Sequence, residues 1–207
     1  TFGSIFHYAA EHIYKDLTTH GKVINKEALE TLLRNEVKLQ DYVDTAFKKL
    51  FFNVPQNEKP EYNGVQLINS AVIARYLKQL LQNDLRYAPF TFIASEMEVD
   101  EPIDIQTPKG VIKSRIGGII DRMDSKDGTL RIVDYKTGGH SFKLSNAMYG
   151  VNTQMLVYLI ALCDANPNVY PGGVSYLTAK MTEASPTESG LLALLANGHL
   201  PSDMCVA

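Results

Sequence analysis

Asp127-Gly128 stands between two apolar runs, 117–124 and 130–135, and it limits the fold more than any other pair in the chain. A two-residue hairpin turn needs positive φ at both central positions, and Asp-Gly meets that need at little cost. With the turn there, Lys126 faces Thr129 and Asp124 faces Arg131, an opposite-charge pair. Asp121 then faces Asp134. Like charges directly opposed on antiparallel strands are destabilising. The surrounding Ile119, Ile120, Ile132 and Val133 make two ionised carboxylates costlier still. The sequence tolerates such a pair if one carboxylate takes a proton or if a cation lies between them. Hard divalent ions such as Mg²⁺ take carboxylates, carbonyls and water as ligands. Lys136 lies two residues after Asp134 and so shares its face. An ammonium there can offset charge on a phosphoryl group. Strand-end aspartates facing water, with Lys136 paired to one of them, are the plainer alternative.

Around this hairpin the chain divides by texture. Ile5, Phe6, Ala9, Ile13 and Leu17 recur at helical spacing before Gly21. Asn25 opens a second, long helix whose apolar side runs from Ala28 to Phe47. A Pro-containing loop spans 53–63, and a third helix covers 66–85. Strand-like runs follow at 90–99, 111–123 and 130–135, then an apolar helix at 152–164 and a strand at 173–178. This order predicts an α/β layer arrangement behind a helical cap. One domain over 1–207 is expected, with 22–85 as a helical insertion or cap, 86–180 as the core and 181–207 as a tail.

With 45% hydrophobic and 21% charged residues in 207, the chain reads as globular. No apolar run nears the ~18 residues of a membrane helix. The beginning has no signal-peptide pattern, and Thr1 and the end at Ala207 read as those of a domain within a longer protein. Cys163 and Cys205 form no Cys-x-x-Cys or Cys/His cluster, which argues against a disulfide scaffold or zinc site and fits a reducing, cytoplasmic setting. The net charge is −3, so there is no global nucleic-acid signature. Residues 111–145 nevertheless hold seven basic residues against four aspartates. Such a cationic strip can meet a phosphate backbone, or it can be a solvated hairpin face.

Gly118-Ile119-Ile120-Asp121-Arg122-Met123-Asp124 followed by Ile132-Val133-Asp134-Tyr135-Lys136-Thr137-Gly138 resembles the RecB-like branch of the PD-(D/E)XK nucleases. Further markers of that branch match: His7 on the first helix, Glu96 on the first long strand (Glu98 shares its face), and Gln154-Met155-Leu156-Val157-Tyr158. Pro171-Gly172-Gly173-Val174-Ser175-Tyr176-Leu177 is similar to the strand that follows in AddB-type helicase–nuclease subunits. The resemblance implies a restriction-endonuclease-like core, a mixed central sheet flanked by helices. It implies Mg²⁺, with Mn²⁺ as a substitute, held by His7, Asp121, Asp134 and the Tyr135 carbonyl. Lys136 would position or activate the attacking water, Glu96 would complete the acidic cluster by ligation or through a bound water, and Gln154 and Tyr158 would contact the DNA backbone or order the site. The expected function is DNA hydrolysis, as an exonuclease domain of a repair helicase–nuclease with a helicase subunit or domain as partner and no membrane role. The alternatives are a non-catalytic nucleic-acid-binding or scaffolding module on the same fold, and a stand-alone RecB-like exonuclease. Many AddB-type domains carry four cysteines around an iron–sulfur cluster; with two cysteines here, no complete cluster site is expected within the chain.

Overall fold

A computed structural model of the chain describes residues 1–58, 60–138, 149, 153–154, 156–159 and 170–178. The tail at 181–207 and the cysteines lie outside these residues. Helix α1 (Phe2–Leu17) is capped by Thr1, whose hydroxyl accepts from the Ser4 amide, and it buries Ile5, Phe6, Ala9, Ala10, Ile13 and Tyr14. The long helix expected after Asn25 is in fact two helices, α2 (Lys26–Arg34) and α3 (Glu36–Phe47). The break is at Asn35, which leaves helical geometry (φ −98°, ψ 80°) so that its side chain can accept from the Lys38 amide at 3.0 Å. Asparagine competes with the backbone in this way, so a continuous apolar stripe does not ensure a continuous helix. A π-helical turn, Lys48–Phe52, follows α3. Helix α4 (Gly64–Tyr87) opens with a reciprocal capping box between Asn63 and Gln66.

Among the described residues five strands form one sheet in sequence order: β1 (Val23–Ile24), β2 (Phe90–Thr107), β3 (Gly110–Lys126), β4 (Thr129–Lys136) and β5 (Tyr170–Thr178). The first three pairings are antiparallel, and β4–β5 is parallel, so the sheet is mixed. Asp127 and Gly128 have φ of 51° and 77°, the positive pair that the hairpin requires. Lys126 faces Thr129 and Asp124 faces Arg131, as the turn chemistry predicts. Strands β2 and β3 pair from Thr91↔Ser125 to Thr107↔Gly110, whereas β3 and β4 pair only from Lys126↔Thr129 to Arg122↔Val133.

Two apolar layers cover the sheet. On one face, α1, α3 and α4 pack Phe6, Ile13, Phe47 and Leu77 together with Phe90, Val133 and Tyr135. Each such side chain contributes about 1.5–3 kcal/mol when fully buried. On the other face, Tyr158 closes over Val99, Ile120, Met123, Leu130 and Ile132. Tyr158 belongs to the helix expected at 152–164, of which Gln154 and 156–159 are described as helical. Among the described residues no helix is long and apolar enough to cross a membrane.

Candidate active site

Strands β3 and β4 part after Arg122↔Val133, and the site forms where they part. At the next position the Asp121 side chain takes over the ladder, its Oδ2 accepting from the Tyr135 backbone N–H at 2.6 Å. Its other oxygen, Oδ1, lies 3.3 Å from His7 Nδ1. His7 projects from α1, and its Nε2 donates to the Tyr135 carbonyl at 3.1 Å. Tyr135 is thus clasped by Asp121 at its N–H and by His7 at its carbonyl.

Glu96 reaches the cluster from β2. It stands between the pairs Ser95↔Arg122 and Met97↔Ile120, level with Asp121 across β2–β3. Glu96 has φ +48°, a left-handed backbone unusual for a residue within a strand. Its Oε1 is 4.0 Å from His7 Nδ1. Upstream, a β-bulge between Phe92 and Ala94 shifts the register by one residue. Glu98, the other strand glutamate considered, is exposed and pairs with Ile119 outside the cluster. Glu96 and Asp121 therefore mark one level across β2 and β3, and Asp134 lies one residue past the last β3–β4 pair, so the expected Asp121–Asp134 pair is not among the paired residues of that ladder.

Asp134 is buried and is held by the Lys136 ammonium, 2.6 Å from its Oδ2. The expectation that Lys136 shares the face of Asp134 agrees with this contact. Burial pushes the Asp134 carboxyl above its ordinary pKa, and the charge of Asp121 adds to the rise, while Lys136 opposes it. Glu96 is also raised, by burial first and then by Asp121. For His7, burial disfavours the imidazolium, but the hydrogen bond and charge of Asp121, with Glu96 and the Tyr135 carbonyl, outweigh it and raise the pKa.

A divalent cation fits this donor set. Among the described residues, His7, Glu96 and Asp121 bring one donor atom each within 4.8 Å of one another. Both His7 nitrogens face oxygen acceptors, so a neutral ring turns a lone pair toward oxygen. A cation among these groups removes that conflict and the carboxylate repulsion together. Two carboxylates and an imidazole suit Mg²⁺ or Mn²⁺ better than a soft thiophilic metal. The donor group includes Glu96, which the resemblance places as completing the acidic cluster. Asp134, named in the resemblance as a ligand, is outside that group and faces Lys136.

Gln154 and Tyr158 lie together, with Gln154 Nε2 donating to the Tyr158 hydroxyl at 3.1 Å. Gln154 is exposed and Tyr158 is buried over the sheet. The ring of Tyr158 lies so close to Gly118 that a Cβ there would come within 2.0 Å of the phenolic oxygen. Gly118 is therefore the seat of Tyr158, three residues before Asp121. Sequence reasoning did not assign it that part. An adjacent Gly117-Gly118 pair inside an apolar strand is the available signal, because strand glycines mark close approach.

Sequence reasoning also missed Arg122 and Asp84, which lie behind the site. Arg122 is fully buried and binds Asp84 through two bonds, Nη1 to Oδ2 at 2.6 Å and Nη2 to Oδ1 at 2.8 Å. Arg131 forms a second fork with Asp124 at 2.8 and 2.7 Å. Tyr14 also donates to Asp84 Oδ2. Burial disfavours the Arg122 cation, but the charge of Asp84 outweighs it and holds the guanidinium well above its usual pKa.

Residues 1–196 match the family model of the PD-(D/E)XK nuclease superfamily. The chain is similar to an ATP-dependent helicase/deoxyribonuclease subunit of Acetivibrio thermocellus, 36% identical over 166 residues, which cover 69% of this chain and 14% of that protein. The protein of the same name from Clostridium tetani is 29% identical over 186 residues, 84% of this chain and 16% of that protein. In Lactobacillus delbrueckii subsp. bulgaricus the identity is 26% over 208 residues, 92% of this chain and 17% of that protein. The chain thus spans between 14% and 17% of the length of these relatives.

Proposed function

Because the chain belongs to the PD-(D/E)XK nuclease superfamily, we propose that it hydrolyses DNA phosphodiester bonds with Mg²⁺, Mn²⁺ serving as a substitute. The reading extends to its setting: an exonuclease domain of a cytoplasmic DNA-repair helicase–nuclease, working beside a helicase subunit or domain. The names of its relatives, each one subunit of an ATP-dependent helicase/deoxyribonuclease, support that setting. The observation that carries the activity is the convergence of His7, Glu96 and Asp121 where β3 and β4 part.

His7, Asp121 and Glu96 would hold the cation, with Asp134 and the Tyr135 carbonyl on the opposite strand as further oxygen donors. The cation supplies Lewis acidity at the phosphoryl oxygen and makes water a better nucleophile. Lys136, steadied by Asp134, would place its ammonium against the negative charge that builds on the phosphoryl group and orient the attacking water. Gln154 would meet the DNA backbone from the exposed end of its pair with Tyr158, which sets its position from within the second core. Contacts through phosphates give binding that weakens steeply with salt and reads little sequence.

The test is cleavage of single- and double-stranded DNA in EDTA, in Mg²⁺ and in Mn²⁺, by the native chain and by Asp121→Asn. Cation-dependent cutting that the variant loses is the expected result. Cutting in EDTA, or full activity in Asp121→Asn, would overturn the reading.

A further inference from the structure

Four charged side chains lie together behind the site: Asp84, Arg122, Asp124 and Arg131. Their charges balance. Arg122 is wholly enclosed, with its Nε 3.2 Å from Asp124 and Arg131 3.5 Å from Asp84. Stability alone is a weak reason for such a group, since buried ion pairs are often replaced by apolar residues at no loss. What the group does hold is geometry. Asp84 of α4 takes both the Arg122 fork and the Tyr14 hydroxyl of α1. Tyr14 stands seven residues, two helical turns, beyond His7 on the same helix face. The guanidinium carbon lies 4.5 Å from the centre of the Tyr14 ring and 5.8 Å from that of Tyr135. Tyr135 is the residue that Asp121 and His7 clasp, and Arg122 follows Asp121 directly in β3.

From this we infer that Arg122 and Asp84 are a positioning pair for the cation cluster, fixing α1 against the parted strands so that His7 meets Asp121 and Glu96. The inference rests on the cation-site reading above. Lysine cannot replace the arginine, because an ammonium is a point charge and does not make two parallel bonds to one carboxylate. Arg131 is the natural control. It shares Asp84 and Asp124 but stacks 3.7 Å over Tyr87 at the end of α4 rather than on Tyr14.

The experiment compares the native 207-residue chain with Arg122→Lys, Arg131→Lys and Tyr14→Phe. Three quantities are measured: melting temperature in EDTA, Mn²⁺ affinity by calorimetry, and the His7 imidazole ¹⁵N shifts in EDTA at fixed pH. Both arginine variants lower the melting temperature. Arg122→Lys weakens Mn²⁺ binding at least tenfold and moves the His7 resonances, while Arg131→Lys stays within threefold and leaves them in place. Native Mn²⁺ affinity and His7 shifts in Arg122→Lys, or equal losses in Arg131→Lys, would reduce the network to a structural one and overturn the inference. If Arg122→Lys does not fold, Tyr14→Phe decides. It removes only the bond from α1 to Asp84, and at least a threefold loss with moved His7 resonances is expected; no change overturns the inference. If the native chain itself binds no Mn²⁺, the cation-site reading fails, and the His7 shifts alone decide whether Arg122 positions that side chain.

Discussion

Glu96 combines a left-handed backbone with a carboxylate that burial and Asp121 both push toward protonation. A non-glycine residue in that conformation carries roughly 1–2 kcal/mol of steric cost. Glycine relieves it and alanine does not. Glu96→Gly should therefore be more stable in EDTA than Glu96→Ala by about 1 kcal/mol, the reverse of the usual order within a strand. In a chain of this size that is a difference of about 2–4 °C in melting temperature. Both variants should lose Mn²⁺ affinity alike, since both lose the carboxylate; calorimetry and thermal melts on the pair check this. Lys136 calls for a different expectation. Its ammonium pairs with Asp134, which is not one of the three clustered donors, so Lys136→Met should abolish DNA cleavage while Mn²⁺ affinity stays within about tenfold, or ~1.4 kcal/mol. Unchanged cleavage in that variant would remove Lys136 from the reaction.

Among the elements, the β3–β4 hairpin places the most chemistry with the fewest residues. Gly118 of β3 seats Tyr158, so Gly118→Ala should displace the ring and lower stability. The same change should cost much less when Tyr158 is already alanine. A double-mutant cycle should give a coupling of about 1–3 kcal/mol, and additivity would deny the contact. At the other side of the fold, Asn35→Ala removes the cap that begins α3 and should cost about 0.5–2 kcal/mol, read by chemical denaturation. The hairpin is legible in the sequence because its instruction is local: Asp127 and Gly128 both take positive φ, and the strand register follows from them. His7 and Lys136 are legible for a mixed reason, strand alternation for the lysine and family pattern for the histidine. The bulge after Phe92 and the left-handed Glu96 carry no local mark, since Ile93 and Glu96 are ordinary strand residues in composition. Nor does the sequence mark the partnership of Arg122 with Asp84, 38 residues apart, because it depends on how α4 lies against the sheet. The break at Asn35 is hidden for the opposite reason: the apolar stripe continues through it.

At the scale of the whole molecule, a cation that binds only the folded state links the site to global stability. At a free concentration one hundred times its dissociation constant, Mn²⁺ should add about 2.7 kcal/mol. The melting temperature should rise with Mn²⁺ in the native chain and stay level in Asp121→Asn, and a thermal titration checks both. The site also ties the first helix to the middle of the sheet, His7 and Tyr135 being 128 positions apart in sequence. Contacts that far apart form only after the loop between them has closed, and long-range pairings are slow to form. α1 can settle against α3 and α4 once the helical layer exists, before the sheet that completes the site is in place. During synthesis the donors of His7 emerge first and wait for β3 and β4. On the reading proposed above, cleavage of nucleic acid therefore waits for the last pairings of the sheet, however early the first helix forms.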